Sequence, residues 1–354
     1  MNIKSLLIGS AAALMAVSGA QAADAIVAAE PEPLEYVRVC DAFGTGFFYI
    51  PGTETCLKIG GYLRFQTDFG RDQFGASDWQ SWTRARITFD AKSDTELGTL
   101  TSFIAVHGEA GRGGLGFDID PDTGTGTPFG VGSGTTNDVY LDEAYIELGG
   151  FRVGTFLNWW DNDLIGETEI ASNVTRFTSV RYVYDGGTFR AGLSVDEIPD
   201  YYDYLAGVGN VHNGFGVSGM VAATLGGVNF ELLGAYDDTT EEGAVRAWLS
   251  AEVGPGTLEI MGLYASGYNA YYAAAEWSVA ADYSFKATEK LTITPGAQYF
   301  GDYLLVDGND AWRVGLTVDY AIVDNLALKA TVNYTDPDNT DDFVSGFLRL
   351  QRNF

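Results

Sequence analysis

From Cys56 to the last residue, apolar and polar side chains alternate along most of this chain. Period two is the mark of a strand with one greasy and one wet face. The clearest case is 312–322. Trp312, Val314, Leu316, Val318, Tyr320 and Ile322 share one face, against Arg313, Gly315, Thr317, Asp319 and Ala321. The next segment repeats it, with Leu326, Leu328, Ala330, Val332 and Tyr334 against Lys329, Thr331, Asn333 and Thr335. The opening strand sets Leu57, Ile59, Leu63 and Phe65 against Lys58, Tyr62, Arg64 and Gln66. Strands are expected at about 57–68, 80–93, 97–107, 138–149, 150–156, 179–185, 187–196 and 214–225. The series continues at about 227–237, 243–254, 256–266, 275–286, 290–302, 311–322, 325–335 and 342–354. That makes sixteen, an even number, as a closed antiparallel barrel requires. Segments 138–156, 179–196 and 214–237 are less regular, so fourteen or eighteen strands also fit.

Alternation alone would suit a soluble sandwich. These segments, however, run about ten residues, the length a tilted strand needs to cross a bilayer. Aromatics sit at the ends of the apolar faces, as in the girdles of membrane barrels. Connections also alternate between long Gly/Asp-rich stretches and tight turns such as Gly149-Gly150, Gly226-Gly227 and Asp324-Asn325. The fold class expected is all-β: a sixteen-stranded antiparallel transmembrane barrel over 57–354 with an infolded constriction loop.

The N-terminus changes the cellular setting. Lys4, the apolar stretch Leu6 to Val17 and Ala20-Gln21-Ala22 form a secretory signal over residues 1–22. A periplasmic N-terminal segment, 23–56, follows; its Glu30-Pro31-Glu32-Pro33 reads as a flexible extension. Cys40 and Cys56 are the only cysteines, and in an oxidising compartment they read as a disulfide; no His or further Cys stands near to suggest a metal or redox site. The net charge is −28, and Lys4 leaves with the signal. Such an acidic balance excludes nucleic acid as a partner. Two histidines, His107 and His212, and no Gly-x-Ser-x-Gly give no catalytic machinery, no metal site and no cofactor. His107 is expected to end a strand at the barrel rim. Asp118, Asp120 and Asp122 are spaced like the start of a calcium loop, but Thr123 and Phe129 stand where Gly and Glu are needed.

Phasing each strand by its apolar face turns Arg64, Arg84, Arg86, Arg152, Arg181 and Arg190 inward, all from the first half of the barrel. They can line one side of a water-filled lumen as the basic side of a constriction. Alternatively they pair with Glu143, Glu147 or Asp90 and merely satisfy the wall. The opposite side is expected from the loop after the fifth strand, Asn158 to Glu169, whose Asp161, Asp163, Glu167 and Glu169 would face the arginines. Trp159, Trp160 and Leu164 would pack it against the wall; the alternative is an outward loop with a solvated acidic face. Opposed charges across a narrow gap make a transverse field that sets ion selectivity.

The run from Cys40 through Gly46-Phe47-Phe48-Tyr49-Ile50-Pro51-Gly52-Thr53-Glu54-Thr55-Cys56 to Leu57-Lys58-Ile59-Gly60-Gly61-Tyr62 resembles the alphaproteobacterial porin family. Thr83-Arg84-Ala85-Arg86, Phe89-Asp90 and the Gln351-Arg352-Asn353-Phe354 ending are similar to the same family. The resemblance implies a homotrimer of sixteen-stranded barrels in the outer membrane, passive transport of small hydrophilic solutes, and an infolded third loop. Terminal Phe354 fits the assembly signal of such barrels. Outer-membrane lipid and lipopolysaccharide are the expected surroundings. The acidic excess argues for weak cation preference and the lumen arginines oppose it. Rival readings are a solute-specific channel, for which Tyr62 and Trp248 give no continuous aromatic track, a blocked barrel serving as adhesin or anchor, and a barrel-embedded lipid hydrolase.

Overall fold

The computed structural model describes residues 38–70, 79–112, 118–119, 126–127, 136–198 and 214–354. The expected signal over residues 1–22, the expected extension 23–37, Asp120, Asp122 and His212 lie outside the described residues. Val39–Phe354 forms one compact unit.

Sixteen long strands form it: β1 (Cys56–Gly70), β2 (Trp79–Thr95), β3 (Gly98–Arg112), β4 (Thr136–Leu148), β5 (Phe151–Leu157), β6 (Arg176–Asp185), β7 (Phe189–Ile198) and β8 (Gly214–Leu225). Then follow β9 (Val228–Asp237), β10 (Glu242–Val253), β11 (Gly256–Ala265), β12 (Ala275–Lys286), β13 (Leu291–Tyr303), β14 (Ala311–Val323), β15 (Leu326–Pro337) and β16 (Phe343–Asn353). Each pairs antiparallel with its neighbours in the chain, and β16 returns to β1 through the register Leu348↔Thr67 and Leu350↔Phe65. Closure leaves no free edge strand among the described residues, so the barrel ladder pairs backbone polar groups from strand to strand, the condition for spanning hydrocarbon. Terminal Phe354 completes the seam: its N–H donates to the Gly61 carbonyl (3.1 Å), and its own carbonyl accepts from the Gly61 N–H (3.2 Å).

The outward face is the apolar one. Val314, Leu316, Tyr320, Val332, Tyr334, Leu348 and Leu350 are all exposed, while Thr317, Thr331, Asn333 and Thr335 between them are buried. A soluble protein reverses this order; a lipid-facing barrel requires it. The expected turns occur: Gly149 and Gly150, and Gly226 and Gly227, all have positive φ, the two-residue geometry that matches strand twist.

Cys40 and Cys56 are joined in a disulfide, buried with Phe47 beside the start of β1. It ties the segment before the barrel to the wall. Lys58 and Lys92 lie 5.9 and 5.3 Å from the centre of the Phe47 ring, covering it.

The lumen is not uniformly polar. On the inward side of β7–β11, Ile198, Met220, Leu233, Met261 and Leu263 are buried in one cluster with Trp160 and Leu164. These strands carry apolar side chains on both faces, which is why alternation is weakest there. What covers the inner apolar patch is loop: the segment 158–175 and, unexpectedly, residues 269–272.

Candidate functional site

The connection between β5 and β6, residues 158–175, folds into the barrel. β5 is only seven residues long, so the chain leaves the wall part-way up. The Asn158 side chain caps the short 3-10 turn Trp159–Asp161 by accepting from the Trp160 N–H (2.8 Å). From there the loop runs along the inner wall, and each of eight consecutive strands offers it a polar side chain. Glu231 of β9 accepts from Asn162 (3.5 Å), and Arg246 of β10 donates to the carbonyls of Trp159 (2.7 Å) and Trp160 (3.0 Å). Glu259 of β11 and Asp282 of β12 accept from the N–H groups of Ile165 and Gly166, each at 2.7 Å. Gln298 of β13 exchanges two hydrogen bonds with the Ile170 backbone, at 2.7 and 3.0 Å. Arg313 of β14 donates to the Thr168 carbonyl (2.6 Å), and Thr317 accepts from the Glu167 N–H (3.0 Å). Asn333 of β15 donates to the Glu167 carbonyl (2.9 Å), while Lys329 (2.8 Å) and Arg349 of β16 (3.6 Å) pair with the Glu167 carboxylate. An irregular backbone is thus satisfied within the lumen almost residue by residue, as it must be where water is partly excluded.

Two glycines permit the close approach. A Cβ on Gly192 would lie 2.6 Å from the Trp159 ring, and one on Gly315 would lie 2.5 Å from Thr168 Oγ1. The expected anchors behave as expected: Trp160 and Leu164 are buried and Trp159 packs beside them. A second connection, between β11 and β12, props the first from behind. Asn173 and Val174 donate to the carbonyls of Tyr271 (2.8 Å) and Ala270 (2.9 Å). Tyr271 in turn donates to Asp196 (2.8 Å), and the Ala270 N–H to Asp237 (3.0 Å).

The side-chain bonds that hold the loop, from Glu231 through Arg349, run to β9–β16, while β1–β5 carry Arg64, Arg84, Arg86 and Arg152. Arg84 pairs with Glu109 (2.5 Å), and Arg86 with both Asp142 (3.2 Å) and Glu143 (2.5 Å). Asp142 also pairs with Arg176 and with His107 (3.2 Å), whose other ring nitrogen meets the Tyr140 hydroxyl at 3.1 Å. Arg64 donates to Gln351 (2.8 Å), and Arg152 pairs with Glu147 (2.5 Å). Pairing with Glu143 and Glu147 is therefore part of the arrangement, as the wall-satisfying reading anticipates. Asp90 pairs instead with Lys92 (3.2 Å).

Some expectations need correction. His107 is no rim residue; it is buried inside β3 within the Asp142 network. Arg190 is inward by phase but sits exposed at the start of β7, opposite Asp185 beside a turn, away from the other arginines. Of the four loop acids, Glu167 is held by Lys329 and Arg349. Glu169 turns into the loop to accept from the Leu164 N–H (2.6 Å). Enclosure there, with Asp282 and Glu167 adding like charge, pushes its pKa up to about 7. Asp163 is exposed and Asp161 half-exposed.

Period-two phasing missed Asp142. A β-bulge opposite Ala105/Val106 inserts it as an extra residue, so that Asp142 and Glu143, though adjacent, both face inward and are buried. Arg176 lies before the expected start of its strand at about 179, whereas the strand begins at Arg176. Arg246, Arg313, Lys329 and Arg349 were available from phase alone, but nothing in the pattern says that they hold a loop.

A closed barrel of sixteen antiparallel strands, apolar outside and charged inside, with a loop laid along half its inner wall, is the build of a membrane channel. Comparison with known proteins places it further. The family model described as Porin subfamily matches residues 24–349, and the chain belongs to that family. It is 53% identical to a putative outer membrane protein, y4fJ, of Sinorhizobium fredii, covering 100% of this chain and 99% of that one. It is 35% identical to the porin Omp2a of Brucella suis over the full length of both. The outer-membrane channel DcaP of Acinetobacter baumannii shares the fold, with a TM-score of 0.63 at 12% identity over 86% of this chain and 99% of that one. So does the trimer form of OmpT of Vibrio cholerae, at 0.60 and 13% over 85% and 100%. The protein is an outer-membrane, multi-pass β-barrel porin.

Proposed function

We propose that this porin is a general-diffusion channel, a homotrimer that passes small hydrophilic solutes and ions with weak cation preference. The observation that carries the reading is the strand-by-strand fastening of loop 158–175 to β9–β16, which lays the loop along one side of the inner wall. Solutes then pass between the loop, with exposed Asp163 and half-exposed Asp161, and the arginine wall of Arg64, Arg84 and Arg86. Most of those arginines already have carboxylate partners, so the wall's positive field is weakened within a chain of −28 overall charge. That balance favours cations. The trimer form of OmpT supports three-fold assembly, and lipopolysaccharide is the lipid such a barrel would meet in the outer leaflet. Phe354, paired to Gly61 at the seam, suits a role as the assembly signal. Catalysis has no part in this reading.

Planar-bilayer recordings of the native oligomer test it. Conductance in steps of three, with a reversal potential of mild cation preference, is expected. A correctly folded barrel that carries no current refutes the channel and favours an anchor or adhesin.

A further inference from the structure

Arg152 and Arg181 stand directly opposite one another in the register of β5 and β6. Like charges at such a pair repel and destabilise a sheet unless something neutralises them. Arg152 is neutralised, since Glu147 takes both its Nε (2.7 Å) and its Nη2 (2.5 Å). Arg181 is not. Its Nη2 donates to the Leu157 carbonyl (3.2 Å), its Nε has no partner, and no carboxylate among the described residues lies within ion-pair distance. Yet it is only 6% exposed. The nearby carboxylate of Asp196 is fully engaged, accepting from Ser179, Ser194, Ser218 and the Tyr271 hydroxyl. By contrast Arg84, Arg86, Arg176, Arg246 and Arg349 each have a carboxylate in reach.

The surroundings are aromatic. The Arg181 guanidinium lies 4.5 Å from the Phe156 ring centre and 4.2 Å from that of Trp159; Arg152 lies 4.2 Å from Tyr145 and 5.3 Å from Phe156. Gly192 leaves the room in which the Trp159 ring sits. Arg152 and Glu147 keep 28% and 36% of their side-chain surfaces exposed, so the group opens on the lumen. Two guanidiniums and one carboxylate leave a single positive charge between flat apolar faces. A buried donor left unpaired costs free energy that a bound anion would recover.

We propose that Arg181, with Arg152 beside it, forms an anion site on the lumen wall that holds the carboxylate of a small aromatic acid against the half-buried Trp159 ring, with fully buried Phe156 backing the Arg181 guanidinium. The charge suits one carboxylate; a dianion would meet Glu147. The Trp159 ring suits a planar body, which an acetate or a phosphate lacks. The inference rests on the channel reading, since only an open lumen delivers such a solute.

The test is interruption of single-channel current in the native oligomer by benzoate, with acetate and inorganic phosphate as comparisons. Benzoate should produce resolvable blockades at concentrations where acetate and phosphate do not. Arg181→Gln should weaken benzoate binding by roughly tenfold or more, and Arg181→Lys should retain part of it. Trp159→Leu, which leaves the charge in place, should abolish benzoate's advantage over acetate, and it serves where Arg181→Gln fails to fold. Benzoate blockade of equal strength in the wild type and Arg181→Gln overturns the site. So does equal blockade by all three anions, or none in a conducting wild-type pore. Absence of any current from the folded wild type is a different outcome and overturns the channel itself.

Discussion

Asp163 is exposed and Asp161 half-exposed, whereas Glu167 pairs with Lys329 and Arg349 and Glu169 turns into the loop. Removing both charges with Asp161→Asn and Asp163→Asn should move the cation-to-anion permeability ratio toward parity, read as a smaller reversal potential under a salt gradient. Glu167→Gln should act differently, altering conductance and noise through the loop's attachment to Lys329 and Arg349. Glu169 adds a dependence on pH. It is an acid whose pKa is raised to about 7, so it is charged above that pH and neutral below it. Cation preference should therefore decline between about pH 8 and pH 6, and a Glu169→Gln variant should lose most of that decline. At this scale the sequence was informative where strands are regular. Arg64, Arg84, Arg86, Arg152 and Arg181 follow from parity alone. Asp142 does not, because a bulge shifts parity by one residue and leaves no mark that alternation can register. His107 was misplaced for a related reason: the strand it was thought to end continues to Arg112.

The loop 158–175 is the element on which the channel's behaviour turns, and its hold on the wall is distributed. Arg246 is fully buried and clamps two loop carbonyls. Replacing it by Gln should cost on the order of 3 kcal/mol, the worth of hydrogen bonds from a charged donor. The expected readout is a barrel that still folds but shows larger and noisier conductance. Gly315→Val should act from the other end, since the added side chain would collide with Thr168 and Asn333. Overpacking of this kind costs ~1–3 kcal/mol and would push the loop toward the pore axis or off the wall. Much of this element was visible beforehand: its place after the fifth strand, its acids and its tryptophans. Its path was not, because the hydrogen bonds that fix it run to strands up to 166 residues away. The inward turn of Asn269 to Tyr272 gave no signal either. Only the apolar inner faces of β7–β11 hint that something must cover them.

For the whole molecule, strand number and order were legible because each strand pairs with its sequence neighbour and lipid enforces the alternation. The disulfide was legible from compartment and spacing. It closes a loop between residues 16 positions apart, and in the chain-entropy model this contributes roughly 3 kcal/mol. Cys40→Ser with Cys56→Ser should accordingly lower the temperature at which the barrel loses its heat-resistant mobility on a gel, with the strands still formed below it. The central claim concerns the open lumen between loop and arginine wall. Planar-bilayer recording of the purified oligomer under a salt gradient tests it most directly. A stable current in threefold steps, cation-preferring and weakened in that preference by Asp161→Asn with Asp163→Asn, is the result expected of the proposed channel. Folded oligomers that insert and carry no current would contradict it.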